Sequence, residues 1–278
     1  MEPQYLQVAR HIETAIAAGT YRHGERLPST RDLAREWDTS PFTINEAMAL
    51  LIKKELVVSK SRTSRIVNAP DQATRAARTE IEKPQVLFVG GYAGSGKTEL
   101  GRILARLTKW GMFDKDTITR PVVEAALSTM GLSVNDRESE EYLSKVRPRE
   151  YEALEASIVE NLECANSVIA TAPFLREFKD DAWLSRMKAR IEGFGATMSI
   201  AWVYCDVDTM HFYLRARGAA RDAKKLEGWP EYLSEIDVAF RPSVPHFIIN
   251  NSTSVTTPLQ TQAVDLIDEL VARSKVSQ

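Results

Sequence analysis

A glycine-rich segment between an apolar run and a helix-forming run constrains the fold of this chain more than any other feature. The apolar run is residues 86–89, the segment reads Gly-Gly-Tyr-Ala-Gly-Ser-Gly-Lys-Thr over residues 90–98, and residues 99–105 favour a helix. From Gly91 to Thr98 the segment fits the pattern G-x-x-x-x-G-K-[ST] in the order strand, loop, helix. Glycines let several backbone N–H groups point at one anion, and the start of the helix adds its positive end. The pattern therefore predicts a phosphate-binding loop.

The same segment supplies candidate ligands for a polyphosphate and its metal ion. Lys97 would reach the β and γ phosphates, and the hydroxyl of Thr98 would complete a Mg²⁺ shell. The expected phosphate- and nucleotide-binding residues of the loop are Gly91, Gly94, Ser95, Gly96, Lys97, Thr98 and Glu99.

The composition bounds the classes of protein that remain. The 278 residues are 44% hydrophobic and 27% charged, and 36 Lys and Arg stand against 38 Asp and Glu, a formal net charge of −2. That balance excludes a protein that coats nucleic acid by bulk charge, although it is compatible with a local basic surface.

Cys164 and Cys205 have no metal-ligand spacing, so neither a disulfide scaffold nor a zinc finger is expected. The start of the chain has no secretory apolar core and no apolar run reaches the roughly 20 residues of a membrane span, so we expect a cytoplasmic protein with no membrane partner.

Proline-marked breaks divide the sequence into a head and a body. Residues 1–69 form short helical patterns that end in a basic stretch, and the polar residues 70–83 have the composition of a linker. From residue 84 to residue 273, short apolar runs alternate with longer helical patterns. The expected strands are residues 86–89, 112–113, 168–171, 199–204 and 247–249. Short apolar strands separated by helices predict an α/β body, with a parallel sheet covered by helices on both faces.

The head has the pattern of three helices and a hairpin. A first helix carries one apolar stripe, formed by Tyr5, Ala9, Ile12 and Ile16. Ser29 followed by Asp32 predicts a capped second helix, and Ser40 followed by Pro41 predicts the start of a third. The third helix is expected to bury Ile44, Ala47, Met48 and Leu51. Residues 59–65 carry three positive charges and no acid, which indicates a hairpin with a basic tip.

This order of elements resembles the winged helix-turn-helix of GntR-family transcription regulators. The resemblance covers about residues 4–68, and its most specific piece is Leu-Pro-Ser-Thr-Arg-Asp-Leu-Ala at residues 27–34. In that family the second helix of the motif enters the major groove, and the wing contacts the minor groove or the backbone. The resemblance implies DNA contacts by Arg31, Ser40, Thr43, Asn45, Lys60, Arg62 and Arg65. It also implies a double-stranded operator and a homodimer suited to a palindromic site. A winged helix that only docks another protein is the alternative.

Two carboxylates follow the second expected strand of the body. Asp114 and Asp116 are followed by Arg120, and strand ends beside a phosphate loop are where α/β proteins bind ligands. One carboxylate could lie near Mg²⁺ while the other takes a proton from an acceptor hydroxyl; simple capping of the next helix is the alternative for both. Residues 215–225 contain five cations, which predicts a solvated helical lid across residues 214–226.

Together these features resemble the small P-loop kinases, a group that includes shikimate- and nucleoside-type kinases, polynucleotide kinase and zeta-toxin-like proteins. The resemblance spans about residues 84–272 and rests most specifically on the phosphate-binding loop. It implies ATP and Mg²⁺ as cofactors and a hydroxyl compound as a potential phosphate acceptor. The implied roles are Asp116 as general base, Thr98 and Asp114 at the metal ion, Lys97, Arg217 and Arg221 on the phosphates, and Asn250 near the adenine. Arg147, Arg149 and Arg176 are candidates for holding an anionic acceptor, with surface salt bridges as the alternative.

Two functions of different class are compatible with this combination of head and body. In the first, the protein is a transcription regulator whose kinase-like body senses ATP, another purine nucleotide or a phosphorylatable metabolite. In the second, it is an active kinase for a small molecule or nucleotide, and the head is autoregulatory. A third hypothesis is a toxin-like kinase fused to its own repressor. We favour the regulator.

Overall fold

The computed structural model describes residues 3–61, 64–69 and 83–276, without the side chains of Ser61, Arg221, Lys275 and Val276. The expected wing residue Arg62 and residues 70–82 of the expected linker lie outside this description. Within it, the chain forms a small helical head and an α/β body, which is the fold class that the sequence predicts.

Three helices and a two-stranded hairpin make up the head. The helices are α1 (Gln4–Ala17), α2 (Thr30–Glu36) and α3 (Pro41–Lys53), and the antiparallel hairpin pairs β1 (Val57–Ser61) with β2 (Ser64–Val67). The predicted caps are present: Ser29 Oγ accepts from the backbone N–H of Asp32 at 3.2 Å, and Ser40 Oγ accepts from that of Thr43 at 3.1 Å. Each cap satisfies a backbone donor that the helix start leaves unpaired.

The apolar positions that the sequence predicts for the head form its core. Ile44, Ala47, Met48 and Leu51 of α3 are buried, and they pack with Ala9, Ile12 and Ile16 of α1. Trp37, which follows α2 and is 4% exposed, joins the same cluster. The helix-turn-helix is therefore fixed against α1 by side-chain packing.

The body is built on a sheet of five parallel strands. They are β3 (Gln85–Gly90), β4 (Gly111–Asp114), β5 (Val168–Thr171), β6 (Thr197–Tyr204) and β7 (Phe247–Asn250), in the spatial order β4-β5-β3-β6-β7. All five strands expected from the sequence are present, and each pairs with its neighbours in parallel. Because the chain crosses to opposite sides of β3, the carboxyl end of that strand lies at the switch point where such sheets bind ligands.

Helices cover both faces of this sheet, as expected. They are α4 (Lys97–Thr108), α5 (Lys115–Thr129), α6 (Arg147–Glu163), α7 (Asp181–Glu192), α8 (Val207–Arg217), α9 (Ala223–Glu227), α10 (Trp229–Glu235) and α11 (Leu259–Val276). Side chains of β3 alternate between the faces: Val86 and Phe88 pack with α6 and α7, whereas Leu87 and Val89 pack with α4 and α11. No helix in the described ranges is long and apolar enough to cross a membrane.

The prediction of one continuous lid helix across residues 214–226 is wrong, because the chain forms several separate elements there. Gly218 has a φ of 57° and ends α8 in the left-handed conformation, a common way for a helix to end. A short 3₁₀ turn (Ala220–Asp222) and α9 follow, and Leu214 is fully buried. The five cations are therefore divided between separate short elements.

The first helix of the head packs directly on the body. Arg10 of α1 donates from Nη1 to the backbone oxygens of Ser252, Thr253 and Val255, at 3.4, 2.8 and 2.6 Å. Ala18, just after α1, belongs to the apolar cluster on the face of the sheet that α4 and α11 cover. The loop after β7 is thus held by the head.

The turn of the helix-turn-helix makes a second contact with the body, through α8. The ring centroids of Trp37 and Phe212 are 4.5 Å apart, and Asp38 forms an ion pair of 3.3 Å with Arg215. Both head contacts flank the glycine-rich loop.

Candidate functional site

The glycine-rich segment forms a tight loop between β3 and α4. Gly94 and Gly96 have φ angles of 79° and 93°, in the left-handed region that favours glycine, and Gly96 is the N-cap of α4. Because this cap has no side chain, the first amides of α4 are left for an anion at the helix start. Ser95 is fully buried, and its Oγ has no hydrogen-bond partner among the described residues. These features fit a polyphosphate held by backbone amides.

Asp114 and Thr98, the two expected metal ligands, meet beside this loop. Asp114 Oδ2 accepts hydrogen bonds from Thr98 Oγ1 at 3.1 Å and from Thr171 Oγ1 at 2.8 Å, while Oδ1 accepts from the backbone N–H of Thr117 at 3.0 Å. Asp114 therefore caps α5 and faces the loop at the same time. A hydroxyl and one carboxylate, completed by phosphate and water, suit Mg²⁺. Within the described ranges, no three His, Cys, Asp or Glu side chains are grouped to hold a metal by themselves.

The ammonium group of Lys97 lies in the interior of the site. Its Nζ donates to the backbone oxygen of Tyr92 at 3.4 Å. Burial lowers the pKa of Lys97; the charges of Asp116 and Asp114 act in the opposite direction, and that of Arg217 adds to the lowering. Burying a cation is costly unless an anion lies beside it, so a phosphate at this position would be stabilising.

Asp116 lies at the edge of a buried network. Lys115 Nζ is 2.9 Å from Asp116 Oδ1 and 2.7 Å from Glu150 Oε1, and Glu150 Oε2 accepts from the Tyr142 hydroxyl at 2.6 Å. The side chains of Lys115 and Glu150 are 4% and 3% exposed, whereas that of Asp116 is 34% exposed. Burial, reinforced by the hydrogen bond to Glu150, raises the pKa of Tyr142. The network fixes the first turn of α5, which carries Asp116.

Sequence reasoning missed Lys115, Glu150 and Tyr142. One signal was available for Glu150, because it shares a spacing of four residues with Leu154 and Ile158, both buried on α6. A carboxylate on an apolar stripe requires a buried partner.

The expected phosphate arginines are only partly described. Arg217 lines the cavity described below, and it donates to Asp222 from Nε at 2.9 Å and from Nη2. The side chain of Arg221 lies outside the described residues.

The three candidate acceptor arginines differ in environment. Arg147 is half-buried, pairs with Glu177 at 2.8 Å and lies over the ring of Tyr151. Arg149 pairs with Glu152 at 2.6 Å on the surface, and Arg176 is exposed. The guanidinium groups of Arg147 and Arg149 are thus held by different carboxylates, those of Glu177 and Glu152.

A cavity of about 390 Å³ opens beside the loop, and both parts of the chain form its walls. The expected site residues that line it are Gly94, Gly96, Lys97, Thr98, Glu99, Asp114 and Arg217, whereas Gly91 and Ser95 are buried and are not among the lining residues. Asn251, not Asn250, is among the lining residues; Asn251 Nδ2 donates to Ser95 O at 3.0 Å, and Asn250 Oδ1 accepts from Ser252 N. The head contributes His11, Thr14, Ala15, Thr20, Tyr21 and Glu36.

The expected DNA contacts gather on α2, α3 and the hairpin. Arg31, Asn45 and Lys60 are exposed, Ser40 and Thr43 lie at the start of α3, and Arg62 is outside the described residues. Arg65 donates to Thr30 Oγ1 at 2.7 Å and to Asn45 Oδ1 at 2.8 Å, so it ties α2 to α3.

Phe42 is a further candidate that the sequence-based list of contacts omitted. Its side chain lies in the first turn of α3 and is 71% exposed. An apolar group at this point of a recognition helix can contact a thymine methyl.

Two family models match the chain, each over one of these parts. Residues 4–67 match the family of bacterial regulatory proteins called the gntR family, and residues 86–235, more than half of the chain, match the AAA domain family. The regulatory match coincides with the head, and the AAA-domain match coincides with the phosphate loop and most of the body.

Curated relatives resemble the head alone. The chain is 37% identical over 60 residues to the HTH-type transcriptional regulator GgaR of Escherichia coli strain K12, which is 22% of this chain and 24% of that protein. It is 34% identical over 64 residues to the uncharacterized HTH-type transcriptional regulator YjiR of the same strain, 23% of this chain and 14% of that protein. The chain thus spans a quarter or less of the length of these relatives.

Solved structures of kinases resemble the body. A gluconokinase from Sinorhizobium meliloti 1021 is 14% identical, covering 70% of this chain and 98% of that one, with a TM-score of 0.46. A shikimate kinase from Aquifex aeolicus vf5 is 20% identical, covering 68% and 98%, with a TM-score of 0.36. At these values the similarity carries no information about substrate.

Proposed function

Because the chain belongs to the AAA domain family and carries a head of the gntR family, we propose that it is a DNA-binding transcription regulator whose body binds ATP, or a related nucleotide, with Mg²⁺ as the effector. The proposed boundaries are 1–69 for the head, 70–83 for the linker and 84–273 for the body.

One arrangement carries the nucleotide part of this proposal. Lys97, Thr98 and Asp114 surround a glycine loop that caps α4, and they face a cavity of a size usual for small-molecule sites. Backbone amides and the helix start supply the cradle, Lys97 supplies the charge, and Thr98 with Asp114 would hold the metal ion. Bound Mg²⁺ would neutralise phosphate charge.

The DNA-binding part of the proposal is supported by exposed polar and basic side chains and by the capped third helix. Arg31, Asn45 and Lys60 are accessible on the head, so they can contact phosphates or base edges without rearrangement of its core. We propose a homodimer on a palindromic operator, since two heads double the phosphate contacts of a mildly charged module. Nucleotide and operator DNA are both intracellular, which favours action in the cytoplasm.

The alternative is an active kinase with Asp116 as general base. It is supported by the partial exposure of Asp116 close to Lys97. The ion pair with Lys115 weakens it, because the carboxylate is already bound to a cation of its own helix.

Operator binding and phosphoryl transfer can be measured on the same samples to decide between the two functions. A duplex selected by the wild-type protein from a random library is titrated by fluorescence anisotropy with and without ATP and Mg²⁺, and labelled ATP is incubated with a metabolite panel. The regulator predicts that ATP changes operator affinity about fivefold or more, with Asp116→Asn behaving like the wild type. Turnover that Asp116→Asn abolishes, with operator affinity indifferent to ATP, would instead identify a kinase.

A further inference from the structure

We infer that the nucleotide pocket is composite, with the first helix of the DNA-binding head as one wall, so that a bound nucleotide contacts the head directly. This inference rests on the proposed nucleotide function and adds the residues through which that site would act on the head.

One face of α1 lines the cavity at the phosphate loop. His11, Thr14 and Ala15 are spaced three and four residues apart, which places them on the same side of the helix, and all three border the cavity that Lys97 also lines. A nucleotide whose phosphates are held at the loop would place its sugar and base in this cavity. The rings of His11 and Tyr213, with centroids 5.7 Å apart, both border the cavity and would contact a base that lies in it.

The contact between α1 and the body is made by groups next to the pocket. Arg10 donates to three backbone oxygens of residues 252–255, and the residue before them, Asn251, lines the cavity and donates to Ser95. Any ligand that orders this loop would therefore also order the oxygens that hold Arg10.

Helix α8 links the loop and the helix-turn-helix from the other side. It lies so close to Gly94 that a Cβ at this glycine would be 3.0 Å from Met210 O. Phe212 on the same helix packs against Trp37 of the head, and Arg217 at its end lines the cavity. The two sites thus share one rigid element.

The docked head forms one wall of the pocket without filling it. A cavity of about 390 Å³ remains beside Lys97 while Arg10 and Trp37 are in contact with the body. A nucleotide would therefore make its contacts with α1 only while the head is docked. Docking and nucleotide binding then favour each other, and linkage requires the effect to be reciprocal.

Calorimetric titration of the full chain with ATP and Mg²⁺ tests this, using variants that loosen the contact between head and body from two sides. Arg10→Ala removes the hydrogen bonds to residues 252–255, and Phe212→Ala removes the packing on Trp37; neither residue is among those that line the cavity. Both variants are expected to bind ATP about fivefold more weakly or worse. Arg186→Ala, on the exposed side of α7, is the control and should bind as the wild type does. Thermal unfolding of each variant verifies that the chain is folded.

The possible results test the composite pocket and the proposed function independently. If the wild type binds ATP and both variants bind it equally well, the nucleotide does not touch the head, and this inference is wrong while the proposed function stands. If the variants bind more tightly, the head obstructs the pocket, which also overturns the inference. A wild type that binds no nucleotide overturns the proposed function, and the composite wall with it.

Discussion

The hydroxyl of Thr98 and the carboxylate of Asp114 are joined by a hydrogen bond of 3.1 Å, although they begin helices that follow different strands. Strand β5 lies between those two strands in the sheet, and Thr171 at its end donates to the same carboxylate oxygen. Residues that end, or follow, three neighbouring strands therefore meet beside the phosphate loop. The proposed metal site therefore forms only when the sheet is folded, because its residues come from separate strands and their connections.

Replacing the carboxylate at this point should weaken the metal dependence of nucleotide binding. In Asp114→Asn, we expect Mg²⁺ to raise ATP affinity less than it does in the wild type, because a neutral amide lacks the negative charge by which a carboxylate attracts this cation. Stability should change little, since asparagine caps helices about as well as aspartate. Calorimetry with ATP at several Mg²⁺ concentrations measures this, with Asp181→Asn on the surface of α7 as the control. A variant that keeps the wild-type response to Mg²⁺ would place the metal ion elsewhere.

The buried network next to Asp116 should contribute to the stability of the body. Glu150→Gln leaves the ammonium group of Lys115, 4% exposed, with the partly exposed Asp116 as its anion among the described residues. Breaking a buried pair in this way should lower the free energy of unfolding by roughly 3 kcal/mol. Urea denaturation of Glu150→Gln and of the control Glu160→Gln, exposed on the same helix, measures it. Equal midpoints for the two variants would show that the network contributes little.

Local patterns predicted the parts of this fold that depend on neighbouring residues. The caps at Ser29 and Ser40, the buried stripe of α3 and the five strands follow from rules that apply over a few residues. The phosphate loop is of the same kind, because its glycines act within one turn.

The features that the sequence did not predict depend on distant contacts or on conflicting local signals. The pairing of Lys115 with Glu150 joins residues 35 apart, and the docking of Arg10 joins α1 to residues more than 240 positions away. The spacing of Glu150 with Leu154 and Ile158 indicates that Glu150 is buried, but it does not identify the partner, and the contacts of Arg10 leave no periodic pattern. Gly218 is a local signal for the end of a helix, but the density of cations around it led to the prediction of one continuous helix.

Acid should weaken the contact between head and body through His11. Burial lowers the pKa of His11, and the charge of Glu99 opposes this only in part; the ring packs between Trp37 and Tyr213. Because the pKa of His11 is lower in the folded chain, the unfolded chain binds the proton at a higher pH. The stabilising contribution of neutral His11 is therefore complete above about pH 6.5 and is lost as the pH falls below that value.

Melting temperatures between about pH 7.5 and about pH 5.5 measure this effect. The decrease on acidification should be smaller in His11→Gln than in the wild type, whereas His23→Gln, in an exposed turn, should follow the wild type. Identical pH profiles for wild type and His11→Gln would contradict the assignment.

The exposed cation of the hairpin should contribute to DNA binding without reading sequence. Lys60→Ala is expected to weaken binding to selected and unrelated duplexes alike and to reduce the slope of log affinity against log salt by about one, as loss of one phosphate contact requires. Anisotropy titrations over a salt series measure the slope, and Lys145→Ala, exposed on the body, is the control. An unchanged slope would remove Lys60 from the interface.

We expect backbone amides and Lys97 to hold the phosphates of a nucleotide. Calorimetric titration of ATP with Mg²⁺ into the wild type, Lys97→Ala and the surface control Lys188→Ala tests this expectation. We predict saturable binding to the wild type and the control, and an affinity at least roughly thirtyfold lower for Lys97→Ala, the cost of removing one buried charge contact. Equal affinities for all three proteins, or no heat of binding to the wild type, would contradict this expectation.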